Sequence, residues 1–213
     1  MTRFIFVRHA QSIANDKGVF IGHIDWDLSE LGFRQAELLG RYLAERKFKP
    51  DVIYSSDLLR PCHTIEPFAK AVGMEITKNR QLREIYAGKW EGQKFDDLPN
   101  IDPAFKIWRQ DIGRAQTDGG ESVAQLYERI NTEVDRLAKL HDGQTVMIAT
   151  HATPIRCLTA RAKGVGLDGM KDIPWAFNAS VNIFDHDGEN LIPVELNCHD
   201  FLAELNTELP KSC

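Results

Sequence analysis

Hydrophobic positions recur along this chain with two periods, and the two alternate. Residues 3–7 (Arg-Phe-Ile-Phe-Val) form an apolar run of strand length without polar alternation, the pattern of a strand buried on both faces. The pattern then turns helical. Ser29 is placed to cap a helix over about residues 30–46, whose Leu31, Leu38, Leu39, Tyr42 and Leu43 share one stripe. Pro50-Asp51 breaks that period, and residues 52–56 read as a second strand. A helix follows to about residue 72, with Pro61 near its first turn and Gly73 at its end. Val123, Leu126, Ile130, Val134 and Leu137 mark a long amphipathic helix, residues 145–150 another strand, and residues 154–163 another helix. Residues 180–184 and 191–196 flank Asp187-Gly188, a hairpin signal. Strands alternating with helices predict an α/β fold. The expected form is a three-layer α/β/α sandwich on a mostly parallel sheet with an antiparallel edge.

One stretch departs from the alternation. Residues 87–120 are rich in Gly, Asp and Pro, with aromatic residues scattered among charges. They read as an excursion from a single domain spanning residues 1–213, with a cap at about residues 92–120. Phe95, Leu98, Phe105, Ile107 and Trp108 are expected to pack there as a lid or to meet an apolar part of a ligand, Trp108 above all.

Composition narrows the field. With 213 residues, 43% of them hydrophobic, the chain can bury a sizeable core. A net charge of -5 offers no basic surface to nucleic acid or to an anionic membrane. The apolar runs are far too short to span a bilayer, and a strand reached by Phe4 leaves no room for a signal peptide. These readings predict a cytoplasmic protein with neither nucleic acid nor membrane as partner. Cys62, Cys157, Cys198 and Cys213 stand far apart without C-x-x-C spacing, which fits reduced thiols. Cys62 is expected to be a small buried hydrophobe.

The chemistry emerges from where the strands end. In a parallel α/β sheet, ligands sit beyond the carboxyl ends of the strands. The first strand ends at Arg8-His9, the second at Ser55-Ser56-Asp57 with Arg60 just after, and the 145–150 strand at His151. Four basic side chains are thus aimed at one rim, and Glu84 is within reach of it. A phosphoryl group carries nearly two negative charges on three acceptor oxygens, and arginine grips such oxygens in pairs. Histidine can also act as a covalent nucleophile. No carboxylate pair is placed to hold magnesium, so the positive charge must come from the protein. Glu84 can protonate a departing oxygen if burial raises its pKa.

At these residues the chain resembles the histidine phosphatase superfamily, also called the phosphoglycerate mutase-like family. The resemblance covers nearly the whole chain. Val7-Arg8-His9-Ala10-Gln11-Ser12 with Asn15 looks like the nucleophile motif, and Gly22, Asp25 and Leu28-Ser29-Glu30-Leu31-Gly32 like the loop and helix that follow. Tyr54-Ser55-Ser56-Asp57-Leu58-Leu59-Arg60 with Thr64 resembles the second arginine motif. Leu82-Arg83-Glu84-Ile85 with Trp90-Glu91-Gly92 resembles the acid-bearing segment, Gly120-Glu121-Ser122 with Arg129 the start of a long helix, and Thr150-His151 the second histidine. The resemblance implies that His9 is phosphorylated and that Arg8, Arg60 and His151 bind the phosphate and stabilise the transition state. It implies Glu84 as proton donor and then general base, with Asn15, the backbone near Gly22, and Ala152 as further phosphate contacts. No metal or other cofactor is implied. The family usually has glycine where this chain has Ala10 and Ala152; alanine is the smallest replacement, and the pocket is expected to survive it.

The expected activity is a metal-independent phosphomonoesterase acting on a small phosphorylated metabolite. Two other readings stay open: a cofactor-dependent phosphoglycerate mutase, and a catalytically weak phosphate-binding protein. The segment at Trp90-Glu91-Gly92 resembles the phosphatases, and the carboxylates of Asp96, Asp97, Asp102 and Asp111 suit a bisphosphate poorly. A homodimer is the default assembly. Gly164-Val165-Gly166-Leu167-Asp168-Gly169 spells a dinucleotide fingerprint but follows a helix, not a strand, and is read as a loop. His23 and His63 are expected to be structural, His141, His186 and His199 to lie in loops, and Trp26, Trp90 and Trp175 to pack.

Overall fold

The computed structural model describes residues 1–207; Cys213 lies outside the described residues. Six strands form one sheet: β1 (Thr2–Arg8), β2 (Val52–Ser55), β3 (Ile76–Lys78), β4 (Thr145–Thr150), β5 (Val181–His186) and β6 (Leu191–Cys198). Their order is β3-β2-β4-β1-β5-β6, parallel from β3 to β1 and antiparallel from β1 to β6.

The apolar run of β1 explains the layers. Successive strand residues point to opposite faces, and here both faces are covered. Phe4 and Phe6 join one core with Leu126, Ile130 and Val134 of α6 (Val123–Leu140) and Leu158 of α7 (Ala152–Ala162). Ile5 and Val7 join the other with Leu39 and Leu43 of α2 (Glu30–Glu45) and Ile65 and Phe68 of α3 (Leu59–Val72). The result is the expected three-layer sandwich. Its helix ends follow from local chemistry. The Ser29 and Ser122 side chains accept from the third residue of α2 and α6, and Gly73 closes α3 at φ +69°, a conformation glycine adopts without strain.

Several details differ from the sequence reading. A short helix, α1 (Ile13–Lys17), follows the first strand, with Ser12 and Asn15 forming a capping box. β3 is only three residues long and mostly exposed, so no period marks it. α7 begins at Ala152, two residues earlier than expected. His186 is not a loop residue; it ends β5, buried, with its ring 2.9 Å from the Asp135 carboxylate. His141 closes α6 and hydrogen-bonds Tyr54, whereas His199 stacks on Phe177. The 164–169 stretch is a turn with Gly164 and Gly166 in the left-handed region.

The 92–120 segment carries two short helices, α4 (Leu98–Ile101) and α5 (Phe105–Gln110). Leu98, Phe105, Trp108 and Ile112 are buried in the α6-side core beside Trp90, whose indole N–H donates to Asp102. Ile107, expected among the packing residues, is exposed. No helix among the described residues is long and apolar enough to cross a membrane.

Candidate active site

Sheet register alone brings the two histidines together. β1 and β4 are parallel neighbours with Arg8 opposite Thr150, so the next residues, His9 and His151, leave the sheet side by side. Their ring centroids are 5.2 Å apart at 66°. Both are buried, with 5% and 0% of their surface exposed.

The hydrogen bond at one His9 nitrogen assigns the other. Nδ1 lies 2.7 Å from the Ala10 carbonyl oxygen, which can only accept, so Nδ1 carries the proton and Nε2 the lone pair. Burial, then the charges of Arg60 and Arg8, hold the His9 pKa well below the ordinary histidine value. The ring is therefore neutral near pH 7. The His9 carbonyl accepts from the Asn178 amide at 3.1 Å and from the Ala179 N–H at 3.3 Å. Burial likewise keeps His151 well below its ordinary pKa, aided by Arg60 and His9. Its Nε2 is 2.9 Å from the Ser56 hydroxyl, while its buried Nδ1 has no protein partner.

Arg60 sits in the first turn of α3, 1% exposed. Its fork donates to Gly22 O at 2.7 Å and to Ile24 O at 3.1 Å. Burial lowers its pKa to about 10, opposed by the charge of Glu84, so it stays cationic. Arg8, also buried, donates to the Ala176 carbonyl. The loop that holds Arg60 is itself clamped. The Glu91 carboxylate accepts the N–H groups of Gly22, His23, Ile24 and Ala87. At Gly22 a Cβ would lie 1.9 Å from Ile85 O, so only glycine lets the loop pass. Glu91→Ala strips the acceptor from four backbone donors and is expected to lower stability by about 3 kcal/mol. Loss of loop order should also raise KM through Arg60. Urea unfolding and steady-state kinetics check both, and unchanged values in both would show the clamp to be idle.

Glu84 follows a tight 3₁₀ turn over Arg80–Leu82. Its Oε1 accepts from the Ile85 N–H at 2.8 Å and its Oε2 from the Thr153 N–H at 3.2 Å, at the start of α7. Burial raises its pKa, with these bonds and Arg60 opposing. Arg129, paired with Glu121, donates to the carbonyls of Gln81, Arg83 and Glu84 and fixes that segment. Asn15 is oriented just as firmly. Its Oδ1 accepts from the Ser12 N–H, the Ser12 hydroxyl and the Asn178 amide, which turns its own NH₂ the other way.

Arg8, His9, Asn15, Arg60, Glu84 and Ala152 line one cleft of about 630 Å³, open mouth included. Two of the predicted residues lie behind it. The Gly22 N–H is held by Glu91 and its carbonyl by Arg60, and His151 is covered beside His9. Neither Ala10 nor Ala152 has positive φ, and Ala152 is the first residue of α7, so alanine meets no backbone strain at either place. Sequence reasoning missed Asn178, Thr153 and the place of Trp175 in the cleft wall. No motif marks them, since Asn178 and Asn15 are 163 positions apart and meet only through the β1–β5 pairing. Cys62, near Arg60, is a buried thiol donating to the Ser56 carbonyl. Among the described residues, no three His, Cys, Asp or Glu side chains are grouped to hold a metal ion.

A mostly parallel sheet that brings two histidines, two arginines and a buried carboxyl together beyond its strand ends has known counterparts. Residues 4–199 match the histidine phosphatase superfamily (branch 1), and the chain belongs to it. It is a hydrolase of phosphoric monoesters. Phosphoserine phosphatase 1 of Hydrogenobacter thermophilus is 33% identical over 216 residues, covering 100% of both chains. The metal-independent phosphoserine phosphatase of Arabidopsis thaliana is 30% identical, covering 86% of this chain and 76% of its own. Among solved structures, Bacillus stearothermophilus YhfR superposes with a TM-score of 0.89 at 28% identity, covering 95% of this chain and 100% of that one.

Proposed function

We propose that the chain is a metal-independent phosphomonoesterase that acts on a small phosphorylated metabolite through a phosphohistidine at His9. The observation that carries this reading is the His9 tautomer. With Nδ1–H committed to Ala10 O, the neutral ring offers Nε2 as a nucleophile in a cleft that also holds Arg8, Arg60 and Glu84.

In the first step Nε2 attacks phosphorus, the P–O ester bond breaks, and protonated Glu84 gives its proton to the departing alkoxide, releasing the alcohol. In the second, the Glu84 carboxylate takes a proton from water as its oxygen attacks phosphorus. The P–N bond breaks, and phosphate leaves with His9 neutral and Glu84 protonated again. Arg8, Arg60 and the Asn15 amide bind the phosphoryl oxygens, and the charge that builds there is met by fixed donors. His151 joins them. It packs edge to face on His9 behind the cleft wall, with its Nε2 against the Ser56 hydroxyl and its Nδ1 without a protein partner. The 92–120 segment caps the cleft through Phe95 and Trp108. The free thiols of Cys62, Cys157 and Cys198 suit the reducing cytoplasm. Phosphatase-named relatives, one of them described as metal-independent, support hydrolysis without a metal.

The test is hydrolysis of p-nitrophenyl phosphate by wild-type protein in excess EDTA. Sustained turnover, unchanged by added magnesium, is expected. Activity that vanishes in EDTA and returns with a divalent cation would overturn the metal-free reading. Phosphate binding without turnover would leave a binding protein.

A further inference from the structure

The cleft is divided by chemistry. Its charged lining residues, Arg8, Arg60 and Glu84, all belong with His9 to the phosphoryl end. Ser12, Asn15 and Thr153 belong there too, tied to one another or to Glu84. Apart from Ala152, beside Thr153 at the start of α7, the rest of the wall is Val19, Phe20, Ile21, Phe95, Trp108 and Trp175. No charged side chain is left on that side among the described lining residues.

The aromatic members form a braced box. Phe20 meets Trp108 edge to face, with centroids 5.2 Å apart at 70°, and Phe95 at 5.1 Å. Trp108 and Trp175 are 6.0 Å apart and tilted by 32°. Buried Trp90 supports them from behind, 5.6 Å from Phe20 and 5.7 Å from Trp108. The Arg156 guanidinium lies over the Trp175 ring at 4.3 Å and holds it in place, and Trp175 lines the cleft. Rings interlocked in this way have little freedom left to lose when a ligand arrives.

We infer that the box selects phosphomonoesters of alcohols that carry a flat apolar or aromatic group. This rests on the phosphatase reading given above. A ring laid against this wall gains aromatic contact and loses only water. A zwitterionic alcohol such as serine would instead press a carboxylate and an ammonium against a wall that offers neither a partner, at a desolvation cost. The chain is thereby expected to differ in preference from its phosphoserine-phosphatase relatives.

The experiment compares 2-phenylethyl phosphate with O-phospho-L-serine, both esters of primary alcohols, so that leaving-group reactivity differs little. Wild-type kcat/KM is expected to be at least about tenfold higher for the phenylethyl ester. Trp108→Ala should lower that value about tenfold more than it lowers the value for phosphoserine. Trp175→Ala, at a half-exposed position where folding is less at risk, should narrow the same ratio. Thermal unfolding identifies any variant that fails to fold. Preference for phosphoserine in the wild type, or a ratio that neither variant changes, overturns the inference while leaving the phosphatase reading intact. No turnover of these esters or of p-nitrophenyl phosphate overturns both.

Discussion

His9→Ala is expected to lower kcat by at least about 10⁴-fold, the scale on which removal of a covalent nucleophile acts. The substitution takes away a cleft-lining imidazole whose Nε2 lone pair is set by a hydrogen bond at the opposite nitrogen. Water cannot take over efficiently, because a water in that place would lack a base aligned to it. The companion measurement is chemical. Wild-type protein mixed with a phosphomonoester and quenched with alkali should retain phosphate in an acid-labile, alkali-stable form, and His9→Ala should retain none. Phosphate still found on the protein in the variant would move the nucleophile elsewhere. A substituted alanine removes a buried ring beside His151, so unfolding curves must accompany the kinetics.

Glu84→Gln is expected to lower kcat by about 10²–10⁴-fold for alkyl phosphates, whose leaving oxygen needs a proton, and less for p-nitrophenyl phosphate. For the nitrophenyl ester, the slow step should become release of phosphate from His9, with a burst of nitrophenol equal to the enzyme present. The pH profile supplies a second readout. In the proposed cycle, turnover starts from neutral His9 and protonated Glu84. With ordinary values of 6.5 and 4.5, the carboxyl would ionise before the imidazole became neutral, and no pH would favour both states. Burial moves the two in opposite directions, histidine down and carboxyl up, which is the sense that favours both states together. Activity should fall on the acid side as His9 gains a proton at its lowered pKa. It should fall on the alkaline side as Glu84 loses one at its raised pKa. Glu84→Gln should flatten the alkaline limb alone. An unchanged limb would assign it to another group.

Much of this architecture is readable in the chain because its signals are local. The doubly apolar run of β1, the caps at Ser29 and Ser122, and the stop at Gly73 depend on a few neighbouring residues. Arg8, His9, Arg60 and His151 could be placed at one rim because each lies within a few positions of a strand end. Strand β3 escaped notice since three residues cannot display a period. Asn178, Thr153 and the Trp175 wall escaped for another reason: their partners are chosen by sheet pairing and helix docking, across separations that no spacing rule spans. His186 looked like a turn residue beside Asp187-Gly188, but β5 extends far enough to bury it against Asp135.

The split between the two ends of the cleft has an evolutionary consequence. Of the groups proposed for phosphoryl transfer, Arg8, His9, Arg60 and His151 issue from strand ends and the starts of α3 and α7, where a shift of one residue would disrupt the whole sheet. The opposite wall comes from connecting segments around residues 19–21, 95 and 175 and from the short helix α5 at Trp108. Mutation can therefore reshape that wall while the reaction persists, so a lineage can acquire new substrates without passing through an inactive ancestor.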